Sequence, residues 1–239
     1  MDFEIIRKKF IEYSKKYDLK NINIMGKFHH SFRVMEYSKE IAKSLNLSNE
    51  DINLAMIIGL LHDIARFEQW TKYNTYIDSI SIDHGDLSYD ILNDLLEESK
   101  YKNIILTAVK NHNKLKIEYD LDDKTLLFCK IIRDADKLDI IKEQNLILED
   151  KIEPISNKII ECFEENKLVS DEDIETEAKA IFRQLAFVYD IHFKYTYEFL
   201  LNNDIIQNKI NLLKIYSDED EILEYIYNKI LKYINDKLN

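Results

Sequence analysis

Histidine and aspartate side chains interrupt apolar helical faces at several points in the first 140 residues. The pair His62-Asp63 comes directly after Leu54–Leu61, a run that is apolar around a whole helix and is therefore predicted to be buried. Burying a carboxylate beside an imidazole is costly unless both groups have partners, and a cation is the simplest partner for both. The pair is therefore a candidate part of a metal site.

Three further polar side chains continue the apolar stripes of other predicted helices. The stripes are formed by Val34, Tyr37, Ile41 and Leu45 with His30, by Ile104 and Ala108 with His112, and by Cys129, Ile132 and Ile140 with Asp136. A single inward histidine is more often a hydrogen-bonded core residue than a ligand, and an inward aspartate can be a cap or an ion-pair partner. Five such groups together favour a site, because helical bundles build metal sites from side chains that converge on their interior.

Two other histidines are interpreted differently. His29 diverges from the inward face of its neighbour and is expected behind the ligands or in solvent. His192 shares a stripe with Leu185, Val188 and Phe199, and it is interpreted as a core residue.

The segment around His84 contains further candidates for local roles. Asp83 and Asp86 could orient the imidazole of His84, but a helix cap is the favoured interpretation. Each of the three glycines lies within three positions of a histidine. Because glycine is unfavourable inside a helix, close backbone approaches or sharp turns are predicted at all three. They are Gly26, Gly59 and Gly85.

The elements that must position these side chains are predicted to be helices. The chain of 239 residues has only three glycines and one proline, and we find no convincing strand-like alternation. Ser48 with Asp51 resembles a capping box before the buried run. Apolar stripes predict one long helix from Ile174 to Phe199 and another from Leu223 to Ile234.

The boundary between two parts of the chain is expected near its single proline. Pro154 comes just after the charged segment 143–153, so the sequence predicts a helical domain over residues 1–150 and a helical extension over residues 151–239 packed on it. The two parts together could also form one domain.

The composition narrows the function classes. A net charge of −12 opposes general nucleic-acid binding, and a phosphate substrate would require a locally positive site. Two cysteines without a CxxC pair argue against a disulfide framework. With no signal-like start and no apolar run long enough for a bilayer, the expectation is a cytoplasmic protein without a membrane partner.

Three segments resemble motifs of the HD superfamily of metal-dependent phosphohydrolases. They are HSFRV (30–34), GLLHDIARF (59–67) and RDADKLDII (133–141). Two segments between them, DHGDLSYDIL (83–92) and VKNHNK (109–114), are similar to the additional histidine motifs of members that hold two metals. Some of those members have paired histidines where this chain has Asn111-His112-Asn113. The resemblance covers roughly residues 25–145 and implies an all-α, HD-domain helical bundle with additional C-terminal helices.

The resemblance also implies a ligand set. The first metal would take His30, His62 and Asp136, the second would take His84 and His112, and Asp63 would bridge the two. This mixed nitrogen and oxygen set suits one or two divalent transition ions, namely Fe, Mn, Co, Ni or Zn.

Three residues are candidates for catalysis: Asp63, Arg66 and Lys137. Arg66 follows Asp63 by about one helical turn, so it could reach a phosphate or form an ion pair. Lys137 could likewise hold a phosphate or a carboxylate. Arg133 and Asp139 are expected to be structural.

The implied activity is hydrolysis of a phosphomonoester or phosphodiester, with a nucleotide or another small phosphate as the substrate. Two alternatives stay open. One is an oxygenase that uses a similar ligand set to hold two irons, and the other is a ligand-sensing module without catalysis. A homodimer is a further expectation that the sequence leaves open.

Overall fold

All regular structure in the described part of the chain is helical, as predicted. The computed structural model describes residues 1–142, 154–170 and 177–239. The α-helices are α1 (Phe3–Ser14), α2 (Ile22–Ser44), α3 (Asn49–Leu61), α4 (Arg66–Tyr73), α5 (His84–Leu95), α6 (Lys102–Asn111), α7 (Asp123–Lys142), α8 (Asn157–Glu164), α9 (Glu177–Ala186), α10 (Lys194–Asn202), α11 (Ile205–Tyr216) and α12 (Asp220–Leu238).

The chain divides into two compact units, with the division inside α7. The first unit is Met1–Asp136 and the second is Lys137–Asn239. The boundary predicted at residue 150 and the charged segment before Pro154 fall outside the described residues, so that boundary stays a prediction. Among the described residues, no helix combines the length and the apolar character required to cross a lipid bilayer.

Several helices begin next to a residue whose side chain accepts a hydrogen bond from a backbone N–H of the first turn. The Ser48 hydroxyl accepts from the Asp51 N–H at 3.2 Å, which confirms the predicted start of α3. The carboxylate of Asp83 accepts from the Asp86 N–H at 3.0 Å, so Asp83 is a cap of α5, as favoured from the sequence. Asn21 plays the same part for α2.

The core of the first unit is built around α3. From Leu54 to Leu61, every side chain except that of Met56 is buried, as expected of a helix that is apolar on all sides. Helix α2 packs along α3, and α5 packs against α6. The Phe10 ring of α1 is fully buried and lies 5.8 Å from the rings of Phe28 and Phe67.

Two of the three glycines allow a close approach. A Cβ at Gly59 would lie 2.9 Å from the Met35 Cα and 3.0 Å from the Val34 carbonyl oxygen, so its absence lets α3 press against α2. A Cβ at Gly85 would overlap the Asn113 side chain. The prediction is wrong for Gly26, where nothing lies within 4 Å of the added atom.

The second unit contains α8 to α12. Helix α12 confirms the predicted C-terminal helix, and its stripe from Leu223 to Ile234 is fully buried. The single helix predicted from Ile174 to Phe199 is wrong within the described residues. Helix α9 ends at Ala186, and a 3₁₀ turn and an extended segment precede α10.

A hydroxyl stabilises this interruption. The side chain of Tyr197 donates to the carbonyl oxygen of Ile191 at 2.9 Å and also lies 3.3 Å from that of Val188, so these carbonyls have partners outside a helix. The prediction of a core position for His192 is also wrong. This residue lies in the extended segment and is exposed, because the break changes the direction of the stripe.

Candidate metal centre

A turn between two helices presents His62 and Asp63. Helix α3 ends at Leu61 and α4 begins at Arg66, and the Ile64 N–H donates to the Leu61 carbonyl at 3.1 Å within the turn. Both side chains of the pair are almost completely buried. The turn allows the two to face one point, which adjacent positions in a straight helix do less readily.

One carboxylate oxygen of Asp63 faces what we call the His30 group: His30, His62 and Asp136. The Nε2 atoms of the two histidines are 3.2 Å apart. The Asp136 Oδ1 lies 3.1 Å and 3.5 Å from these nitrogens. Asp63 Oδ2 lies 3.5 Å from the first nitrogen and 3.6 Å from the second.

The other oxygen of Asp63 faces the His84 group, which consists of His84 and His112. Their Nε2 atoms are 3.0 Å apart, and each lies 3.4 Å from Asp63 Oδ1. That buried oxygen has no hydrogen-bond partner. Asp63 thus places one oxygen beside each group. Helices α2, α5 and α7, the turn after α3 and the residue that follows α6 supply the side chains.

The hydrogen bonds of His62 and His112 show which ring nitrogen carries the proton and which is a bare acceptor. The Nδ1 atoms of His62 and His112 lie 2.8 Å and 2.5 Å from the backbone carbonyls of Gly59 and Val109. Because a carbonyl only accepts, each Nδ1 must donate, and the Nε2 of a neutral ring is then a bare acceptor. Acceptors at these separations repel unless a positive charge lies between them, so the geometry fits a bound cation.

The distances agree with ligands around a common ion. A transition metal bound at about 2.1 Å holds neighbouring ligand atoms roughly 3.0–3.5 Å apart. The separations within each group, and those between each group and Asp63, are 3.0–3.6 Å and lie close to this range. Imidazole nitrogens with carboxylate oxygens suit Fe, Mn, Co, Ni or Zn.

The protonation states of the candidate ligands are those in which they can bind a metal ion. Burial lowers the pKa of His62, and burial together with Arg66 lowers the pKa of His84 to about 4, so both rings are neutral at physiological pH. Burial alone would raise the pKa of Asp63, but Lys27, His62 and Arg66 hold it well below its ordinary value. The carboxylate is therefore ionised.

Comparison with protein families agrees with this geometry. A family model described as the HD domain matches residues 28–141. Residues 28–141 of the chain therefore form an HD domain. The matched segment contains every residue of the two histidine groups and Asp63. No curated protein and no solved structure matches the chain.

The superfamily to which the HD domain belongs consists largely of metal-dependent hydrolases that act on small phosphates. The six candidate ligands of this HD domain come together as the resemblance implies, in clusters that could hold a metal. His29 is exposed, in agreement with the expectation of a solvent position. Arg133 has a structural role: its guanidinium donates to the carbonyls of Asn111 and Lys114 at 3.0 Å and 2.5 Å, which fixes the end of α6 next to His112.

Asp78 is a residue of the HD domain that the sequence interpretation missed. Its Oδ2 accepts from the Nδ1 of His84 at 2.6 Å and from the Asn113 amide at 3.1 Å. Its Oδ1 accepts from Arg66 at 3.2 Å and from Gln69 at 2.9 Å. These donors hold the pKa of Asp78 low despite its burial. Such a carboxylate fixes the tautomer and direction of a ligating ring.

Arg66 and Lys27 both lie next to Asp63. The Nη1 atom of Arg66 donates to Gln69 and to the Tyr76 carbonyl, each at 2.7 Å, while its Nε lies 3.4 Å from Asp63 Oδ1. Lys27, which the sequence interpretation did not select, has its Nζ 2.9 Å from Asp63 Oδ2. It precedes His30 by three positions, so the two share one face of α2.

Lys137 begins the second unit. Its Nζ forms an ion pair with Asp190 at 2.7 Å and lies 5.7 Å from the centre of the Phe187 ring. The proposed contact of Lys137 with a phosphate stays a prediction.

Proposed function

We propose that this HD-domain protein is a metal-dependent phosphohydrolase that cleaves a phosphomonoester or phosphodiester bond of a nucleotide or another small phosphate. The observation that carries the proposal is the position of Asp63, with one oxygen beside the His30 group and the other beside the His84 group. Paired cation sites that share a carboxylate suit phosphoryl transfer, because two cations can stabilise the attacking and leaving oxygens.

Under this proposal, His30, His62 and Asp136 hold one cation, His84 and His112 hold the other, and Asp63 is a ligand of both. When bound, the cations would acidify water to give a nucleophile near neutral pH and would counter charge that develops on phosphorus-bound oxygens. The protein's own part is to hold Nε2 lone pairs toward the site through Nδ1 hydrogen bonds. His62 and His112 form these bonds with backbone carbonyls, and His84 forms one with Asp78.

The charge balance of the site supports an anionic substrate despite the net charge of −12. Three carboxylates, those of Asp63, Asp78 and Asp136, lie at the site. The cationic side chain of Lys27 lies beside Asp63, and that of Arg66 lies beside Asp78. Two divalent cations would therefore leave the site positive. This meets the requirement for local positive charge that the acidic composition imposes.

The proposal is tested by assaying the purified chain with Mn, Co or Ni against a panel of nucleotides and simple phosphate esters. Wild type should release phosphate or a nucleoside monophosphate, and Asp63→Ala should bring this release to background because both sites lose a ligand. Asp86→Asn is the matched control, since Asp86 pairs with Lys114 rather than with the histidines. Oxygen consumption by the iron-loaded chain without release of phosphate would contradict the proposal and favour an oxygenase.

A further inference from the structure

A buried hydroxyl without a partner lies near the candidate metal centre. The Tyr76 Oη is inaccessible to solvent and has no hydrogen bond. Burial and the charge of Asp63 raise the pKa of this phenol, so it keeps its proton and is a donor at physiological pH. An unsatisfied buried donor is unfavourable, so the Tyr76 hydroxyl is available to an acceptor on a molecule that binds beside it.

Lys27 lies over the same tyrosine. Its Nζ is 5.4 Å from the centre of the Tyr76 ring and 2.9 Å from Asp63 Oδ2. The Lys27 ammonium therefore lies close to both the Tyr76 ring and the Asp63 carboxylate. The Lys27 side chain is 21% exposed, so a molecule from solvent can reach it.

Arg66 also lies 5.4 Å from this ring, but its Nη1 atom already has other acceptors. Its Nη1 is directed at Gln69, the Tyr76 carbonyl and Asp78. Lys27 instead faces Asp63 Oδ2, which is also the oxygen beside the His30 group. A cation on that oxygen would weaken the attraction between Lys27 and Asp63, because like charges repel. The flexible lysine would then favour a new anion.

The chemistry of phosphate esters indicates which anion Lys27 would bind. A phosphodiester has two non-bridging oxygens, and a pair of cations can account for both. A phosphomonoester has a third oxygen and carries a second negative charge near neutral pH. An ammonium and a phenol are donors that can supply hydrogen bonds to that third oxygen.

We propose that Lys27 and Tyr76 form a subsite for the third non-bridging oxygen of a phosphomonoester, which makes monoesters the preferred substrate class. This inference rests on the proposed function. It also extends to the product, because inorganic phosphate carries the same oxygens.

The test measures binding instead of turnover. Inorganic phosphate and dimethyl phosphate, which has only two non-bridging oxygens, are titrated calorimetrically into the Mn-loaded protein. Lys27→Met should weaken phosphate binding by about 10- to 100-fold and Tyr76→Phe by about 3- to 10-fold, as expected for a charged and a neutral hydrogen bond. Binding of dimethyl phosphate and the metal content should change little. Lys16→Met is the matched control, because Lys16 is an exposed lysine that likewise lies close to a tyrosine ring, 4.9 Å from that of Tyr13.

The outcomes separate this inference from the proposed function. If wild type hydrolyses a phosphate ester but both variants bind phosphate as wild type does, the subsite is refuted and the hydrolase stands. Equal losses for phosphate and dimethyl phosphate would also refute it, because the third oxygen would then play no part. If wild type with a full metal complement binds no phosphate and releases none from the panel, both proposals fail.

Discussion

The carboxylate of Asp78 contacts a histidine of the His84 group. It accepts a hydrogen bond from the Nδ1 of His84, whereas the Nδ1 atoms of His62 and His112 donate to backbone carbonyls. A carboxylate is the stronger acceptor and makes the ring that it orients more basic. The second cation should therefore depend on Asp78 more than the first does.

We expect Asp78→Asn to weaken the binding of one metal ion per chain by about 10- to 100-fold and to leave the other nearly unchanged. Metal content after dialysis against graded chelator concentrations measures this. Asp90→Asn serves as the control, since Asp90 is an exposed carboxylate on α5. Equal loss of both ions would show that Asp78 acts on the fold of the whole site.

There is a physical reason why some residues of the site can be predicted from the sequence and others cannot. His30 and Asp136 lie on apolar helical faces, where a polar side chain stands out. Asp78 lies in a 3₁₀ turn without periodicity, and Lys27 lies on a partly exposed helix face where a lysine is ordinary. Only tertiary contacts give these two their roles.

At the scale of helices, Gly59 decides how near α2 and α3 can come. Its missing side chain leaves room for the backbone at Met35, and its carbonyl accepts from the Nδ1 of His62. The distance between His30 and His62, which come from the two elements, therefore depends on this contact.

We predict that Gly59→Ala destabilises the protein by about 1–3 kcal/mol, because the added methyl overlaps backbone atoms that cannot move freely. It should also weaken metal binding. Gly26→Ala provides the comparison within α2, where open space should make it neutral or stabilising by up to about 1 kcal/mol. Denaturant unfolding of both variants measures the difference. Equal stability would contradict the tight contact.

The helices were predictable where one local signal sufficed. A cap at Ser48 and a stripe ending at Ile234 each define an element without help from the rest of the chain. The break after Ala186 could not be predicted in this way, because the helical spacing of apolar residues continues through it. The Tyr197 hydroxyl that stabilises the break comes from the following helix, so its partner carbonyls cannot be read from the pattern.

For the molecule as a whole, the buried histidines tie stability to pH when no metal is bound. The pKa of His84 falls from 6.5 to about 4 on folding. Between these values the unfolded chain binds more protons than the folded chain, so the free energy of unfolding decreases as the pH falls. The carboxylates, whose pKa values are lowered from 3.8, add to this loss only in stronger acid.

We expect the metal-free wild type to lose stability between neutral pH and about pH 5, and His84→Gln to lose less, by at most ~1.4 kcal/mol per pH unit. Urea unfolding in the presence of a chelator measures this. His29→Gln is the control and should follow wild type, since His29 is exposed. Parallel curves for wild type and His84→Gln would show that His84 does not cause the dependence.

The proposed sharing of Asp63 between the two groups has an evolutionary consequence. Both oxygens of Asp63 belong to one short, rigid group, so they cannot be aimed separately, and a rotation that favours one pair of histidines turns the other oxygen away. Selection on either half of the centre therefore acts on the other half as well. A descendant that abandoned the His84 side would be free to reorient or lengthen this side chain, whereas one that keeps both sides is confined to aspartate.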